Sequence, residues 1–114
     1  MDTDYRKYVV DIDEAAREVQ EYVRDLRFDE YTANGMVKAA VERKLEIIGE
    51  ALNRIKKVQP EILDEIRDHA KMISFRNILI HGYDIVSDPI VWDIIQRDLP
   101  LLIEDIERAK AKML

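Results

Sequence analysis

Apolar residues recur at steps of three and four along almost the whole chain, and this helical period leaves room for little but an all-α fold. Tyr5, Tyr8, Val9, Ile12, Ala15, Ala16, Val19, Tyr22, Val23 and Leu26 form one such stripe, predicting a first helix from about Asp4 to Leu26. Phe28 and Asp29 mark a break, with Asp29 suited to cap the next helix. Val37, Val41, Leu45, Ile48, Leu52 and Ile55 then make a heptad-like seam, predicting the longest helix, from Asp29 or Asn34 to Lys57, with a bend at Gly35. A helix packed in a bundle shows the same seam.

Pro60 fits the first turn of a third helix over Pro60 to Ala70, with Ile62, Ile66 and Ala70 inward. A fourth segment, Met72 to His81, ends at Gly82. The last helix starts at Asp88 as cap and Pro89 as first residue, and turns Val91, Ile95, Leu99, Leu102, Ile106, Ala109 and Met113 inward. Pro100 interrupts it and predicts a kink or a split near Asp98, because proline removes one backbone hydrogen bond. Three Gly and three Pro are too few turn formers for a β-sandwich. Short connections make neighbouring helices antiparallel. The expected architecture is an up-and-down four- or five-helix bundle, one domain over residues 1–114.

Eighteen Lys and Arg against 24 Asp and Glu leave a net charge of −6, which argues against loose charge-driven binding to nucleic acid but permits a local basic site. No Cys is present, so disulfides and thiolate metal sites are excluded. Met1-Asp2-Thr3-Asp4 lacks the basic-then-apolar pattern of a signal peptide, and no apolar run approaches the roughly 20 residues that span a bilayer. The expectation is a cytoplasmic protein with no membrane partner.

Chemistry concentrates in Arg76-Asn77-Ile78-Leu79-Ile80-His81-Gly82-Tyr83. On a wheel of about 100° per residue, Phe75, Ile78, Leu79 and Gly82 share one side. Asn77, Ile80, Tyr83 and Asp84 lie opposite, with Arg76 between and His81 at the far edge. Arg76 and Tyr83 are nearly eclipsed, and Asn77 aligns with His81. Arg76 and His81 stand about 140° apart, so they meet only if Arg76 reaches around or the helix loosens before Gly82. A purely structural account is available: His81 complements the helix dipole, Arg76 pairs with a carboxylate and Tyr83 packs at the exit turn.

The pattern Arg76, four residues, His81, one residue, Tyr83 resembles the R-x4-H-x-Y motif of HepT-like toxins in the HEPN superfamily of helical ribonuclease domains. The run from Ala40 to Leu52 resembles that family's second-helix signature. Phe75-Arg76-Asn77, Val91-Trp92 and Asp98-Leu99-Pro100 are similar to its flanking sequence. The likeness covers nearly the whole chain. It implies a metal-independent endoribonuclease toxin of a type VII HepT/MntA toxin–antitoxin pair, acting as a homodimer on RNA such as tRNA or mRNA. It further implies catalytic Arg76 and His81, no cofactor and no metal, and neutralisation by AMPylation of Tyr83 by an MntA-type minimal nucleotidyltransferase antitoxin.

The residue types suit that chemistry. Histidine moves protons near neutral pH, and arginine offers a planar fork to phosphate oxygens. His81 alternatively binds the phosphate and positions the 2′-OH. Asn77 is a substrate-binding candidate, for phosphate or ribose, or a residue at the edge of the core. The competing reading is a non-catalytic helical binding module that docks a minimal nucleotidyltransferase and its substrate.

Glu42, Glu46 and Glu50 repeat at four-residue steps, but a diiron bundle uses Glu-x-x-His motifs, and none occurs. Glu50 is placed to pair with Arg54 along its helix. His69 reads as surface and Trp92 as core or dimer contact. Arg108, Lys110 and Lys112 complement the last helix's dipole or touch RNA.

Overall fold

A computed structural model describes residues 4–113. The N-terminal reading of Met1-Asp2-Thr3 lies outside the described residues. The described chain is an all-α bundle with four rods. Helix α1 (Tyr5–Tyr22) starts at Asp4, whose carboxylate accepts from the Arg6 backbone N–H at 3.0 Å. A short α2 (Phe28–Ala33) leads into α3 (Gly35–Val58), capped by the Asn34 side chain, which accepts from the Val37 N–H at 3.0 Å. Then come α4 (His69–His81), α5 (Asp88–Asp93) and α6 (Leu99–Lys112).

Ion pairs give the directions. Lys44 meets Glu18 at 3.2 Å, while Tyr8 and Arg54 line one groove at the other end, so α1 and α3 are antiparallel. Gly49 faces Met72 and Arg76, which sets α4 against α3. Arg17 with Glu107, and Lys110 with Asp13 at 3.1 Å, set α6 antiparallel to α1. The expected stripes of α1, α3 and α6 fill one continuous core, with Ile12, Leu45, Ile48, Leu52, Leu99 and Ile106 at its centre. Trp92 is half-buried, its ring centroid 5.3 Å from Tyr31 and 6.0 Å from Phe28, so it anchors α2 and α5 to each other.

Several boundaries differ from the sequence reading. The first break comes earlier than Asp29: Arg27 caps α2, and the Glu30 carboxylate accepts from its N–H at 2.8 Å. Ser87, not Asp88, caps α5, while Asp88 is the first helical residue and pairs with Lys38 at 2.9 Å. The expected third helix is a 3₁₀ turn, Pro60–Glu65, followed by extended Ile66. It stops because the Arg67 backbone N–H goes to the Asp105 carboxylate at 3.0 Å instead of continuing a helix, and Ala70 ends up exposed. The expected split of the last helix near Asp98 is present, as a change of helical geometry within one rod. One π-helical turn, Ile94–Asp98, carries the rod from α5 into α6, with the Leu99 N–H reaching back five residues to the Ile94 carbonyl. The extra residue in that turn relieves the clash and missing donor that proline brings.

Among the described residues three carboxylates are buried, and each is met by a cation from another part of the chain: Asp13 by Lys110 at 3.1 Å, Asp98 by Lys71 at 2.6 Å, and Asp105 by Arg67 at 3.0 Å. Burial pushes the Asp105 carboxyl upward, but hydrogen bonds from the Arg67 side chain and backbone outweigh it, leaving the group below its ordinary value. A depressed carboxyl stabilises the fold above its unfolded pKa, and that contribution is lost as pH falls through the folded one. Asp105→Asn is therefore expected to cost about 1–3 kcal/mol at pH 7. The gap from wild type should close below roughly pH 4 in urea titrations. An equal gap at pH 7 and pH 3 contradicts this assignment.

Candidate functional site

Helix α4 carries the motif, and α3 determines how it sits. Only Met72, Phe75 and Leu79 of α4 are buried, all on the side that meets its neighbours. Ile78, expected inside, is 41% exposed, because α4 lies at the bundle's edge and covers only a narrow stripe. Gly49 of α3 makes the contact close: a Cβ built there would stand 2.3 Å from the Arg76 Cβ and 3.0 Å from the Met72 carbonyl. No side chain larger than hydrogen fits between the two helices at this point.

That closeness brings Arg76 over α3. Its Nη2 lies 2.5 Å from Glu50 Oε2, and its Nη1 donates to Asn77 Oδ1 at 2.9 Å. The Arg76 Nε–H is buried and meets no acceptor in the described chain. Glu50 Oε1 in turn accepts from Arg54 Nε at 2.8 Å, the pairing expected from their spacing. The Glu50 carboxyl is held below the usual range by the Arg54 hydrogen bond, against the opposing effect of burial and with help from the Arg76 charge. These residues line a groove of about 340 Å³ between α1, α3 and α4, together with Tyr8, Ile47 and Ile80.

The other motif residues stay outside that groove. Asn77 and His81 are exposed, and Tyr83 is 77% exposed. The expected eclipse of Arg76 and Tyr83 fails. Helix α4 ends at His81, Gly82 leaves helical geometry at φ −121°, ψ 39°, and Tyr83 opens a separate 3₁₀ turn, Tyr83–Ile85. The turning-apart of Arg76 and His81 read from the wheel holds: only Arg76 faces the groove. Around the motif, Ile78, Ile80 and Ile85 present apolar surface to solvent.

Other charged candidates are committed elsewhere. Arg108 pairs with Asp105, Lys110 with Asp13 and Lys112 with Glu65. His69 is half-buried at the start of α4, not on the open surface. Glu42, Glu46 and Glu50 form no metal cluster, and among the described residues no group of three His, Asp or Glu side chains is arranged to hold an ion. No helix among the described residues is long and apolar enough to cross a membrane.

An all-α bundle with Arg76 and His81 on an edge helix, and Tyr83 in the turn that follows it, is consistent with a HEPN-like fold. Within that class, the chain belongs to the HepT-like family: residues 12–109 match the family described as "Ribonuclease HepT-like". A Methanocaldococcus jannaschii protein named as a candidate RNase is 35% identical over 104 residues, covering 91% of this chain and 94% of that protein. A Thermococcus cleftensis protein named as a candidate ribonuclease HepT is 33% identical over 114 residues, covering 96% and 99%. A third relative, from Caldanaerobacter subterraneus and likewise named as a candidate RNase, is 27% identical over 107 residues, covering 94% and 95%. No solved structure matches at a significant level.

The Gly49 contact is testable without any assay of activity. Gly49→Ala is expected to lose about 1–3 kcal/mol in chemical denaturation, because the added methyl must push α4 off α3. Gly35→Ala is the control, since a Cβ there meets nothing within 4 Å. Equal behaviour of the two variants would mean that the helices do not pack this tightly.

Proposed function

We propose that this chain is the toxin of a HepT/MntA-type pair, a metal-independent endoribonuclease of one HEPN-like domain that acts as a homodimer on cytoplasmic RNA. The carrying observation is the disposition of the motif: Arg76 lines a groove, while Asn77, His81 and Tyr83 stand open at the same helix end beside exposed Ile78, Ile80 and Ile85. An apolar rim around polar groups suits coverage by a second copy. Because Arg76 and His81 of one chain point apart, pairing two motifs gives the nearest way to bring both residue types to one phosphodiester.

In this mechanism His81 accepts the proton of the ribose 2′-OH as that oxygen attacks phosphorus. The Arg76 guanidinium carries the charge that gathers on the phosphoryl oxygens, and Asn77 hydrogen-bonds the ribose or phosphate. The bond from phosphorus to the 5′-oxygen breaks, and that oxygen takes a proton from water. The products are a cyclic phosphate and a free 5′-hydroxyl. Tyr83 is the acceptor for an MntA-type nucleotidyltransferase: its phenolic oxygen attacks the α-phosphorus of ATP, its proton passes to solvent and pyrophosphate leaves. The attached AMP then sets a negative charge and a bulky base at the site, which repels the RNA backbone.

Cleavage of RNA is expected to survive a chelator and to fall by about 10²–10⁴-fold in His81→Ala and in Arg76→Ala. Mixing these two inactive variants should restore cleavage, since one hybrid site pairs an intact arginine with an intact histidine from the other chain. No recovery on mixing would place the whole site within one chain, and loss with chelator would overturn the mechanism. The binding-module reading predicts intact RNA throughout together with a stable transferase complex.

Incubation with the transferase and ATP is expected to add the mass of one adenylate to the wild type and nothing to Tyr83→Phe. Modification that persists in Tyr83→Phe would remove Tyr83 from the scheme.

A further inference from the structure

Resting on the ribonuclease reading, we propose that Arg54 is a second phosphate-gripping residue of the same groove, and that the Glu50 carboxylate occupies the RNA phosphate's place until substrate displaces it. Glu50 bridges two arginines from two helices, with Oε1 2.8 Å from Arg54 Nε and Oε2 2.5 Å from Arg76 Nη2. One anionic group held between two guanidinium forks is the arrangement a phosphodiester takes up.

The fit of Glu50 is incomplete. Arg76 Nε–H is buried with no acceptor, and Glu50 Oε2, though close to Arg76, lies off the hydrogen-bonding direction. A buried donor without an acceptor is costly, so the free groove carries a built-in deficit. A tetrahedral phosphate, with two unbridged oxygens, can reach both the Nη and Nε edges of Arg76 while touching Arg54. Glu50 is free to leave, since its side chain is 37% exposed and swings on flexible torsions.

The groove's remaining walls favour a nucleotide over a simple anion. Tyr8, Ile47, Ala51 and Ile80 give it an apolar floor beside the two arginines. A ribose or an unstacked base rests on such a surface, and an aromatic ring adds stacking. Charge selects the moment of binding. Arg43, Arg54 and Arg76 are matched by Asp11, Glu46 and Glu50, so the closed groove has no net charge of its own. Displacement of Glu50 towards solvent is what exposes a positive site on an acidic protein.

The test is equilibrium binding of a 2′-O-methyl RNA oligonucleotide, which lacks the attacking hydroxyl, across a series of salt concentrations. Arg54→Ala is expected to bind roughly tenfold more weakly, with its salt slope reduced by about one. Glu50→Gln should bind more tightly than wild type, and less so when Arg54 is already alanine. On cleavable RNA, Arg54→Ala should raise KM with little change in kcat, a split that a merely structural role would not produce. Glu50→Asp, one methylene shorter and still charged, should also bind more tightly, which guards against a folding defect of the Gln variant.

Unchanged affinity in Arg54→Ala, or weaker affinity in both Glu50 variants, would overturn the inference while leaving ribonuclease activity intact. Wild-type protein that neither binds nor cleaves RNA would overturn the underlying reading, and this inference with it.

Discussion

How near α4 can come to α3 governs the rest of the site. Two helices usually pack 8–10 Å apart, with side chains filling the gap. At Gly49 there is no side chain to fill it, and the Arg76 stem occupies the space instead. The backbone of α4 therefore rides close over α3, and the Arg76 guanidinium lands beside Glu50, one residue along from that glycine. A wider spacing would leave Arg76 reaching into solvent, where an arginine–carboxylate pair contributes little and holds no geometry.

Under the proposed function, the same contact lets an acidic chain carry a site for an anionic polymer. With a net charge of −6, long-range attraction does not draw nucleic acid to this protein. Local donors, held by packing, must do so. The basic residues near the C-terminus are paired outside the groove: Lys110 and Arg108 compensate the buried Asp13 and Asp105. The groove arginines differ because their partners line the groove with them, Glu46 for Arg43 and Glu50 for Arg54 and Arg76.

Much of the bundle was legible before any coordinates. The stripes of α1, α3 and α6 read cleanly because each of these helices packs on more than one neighbour, which widens the apolar face that selection of residue type must fill. Helix α4 read poorly. Its apolar residues are spread around the helix among Lys71, Arg76, Asn77 and His81, so periodicity placed Phe75 and Leu79 inside but also Ile78, which is exposed. The Pro60–Glu65 turn escapes the sequence for a different reason: Ile62 and Ile66 keep a helical step, but the stop is a hydrogen bond from Arg67 to Asp105, 38 residues away. Pro100 is legible as a disturbance near Asp98, yet its resolution as a π-helical turn depends on the core holding both halves of the rod in line.

By itself the sequence determined the class of fold, the approximate rods, the i to i+4 pairing of Glu50 with Arg54, and the angular separation of Arg76 from His81. Each of these arises from local chemistry repeated at the helical period. Only the tertiary structure decided which carboxylate Arg76 meets, that Gly49 is the seat of the motif helix, and that Tyr83 leaves that helix at Gly82 to stand open in a turn of its own. Those outcomes hinge on contacts between distant segments, and a helical repeat carries no record of which neighbour a face will find.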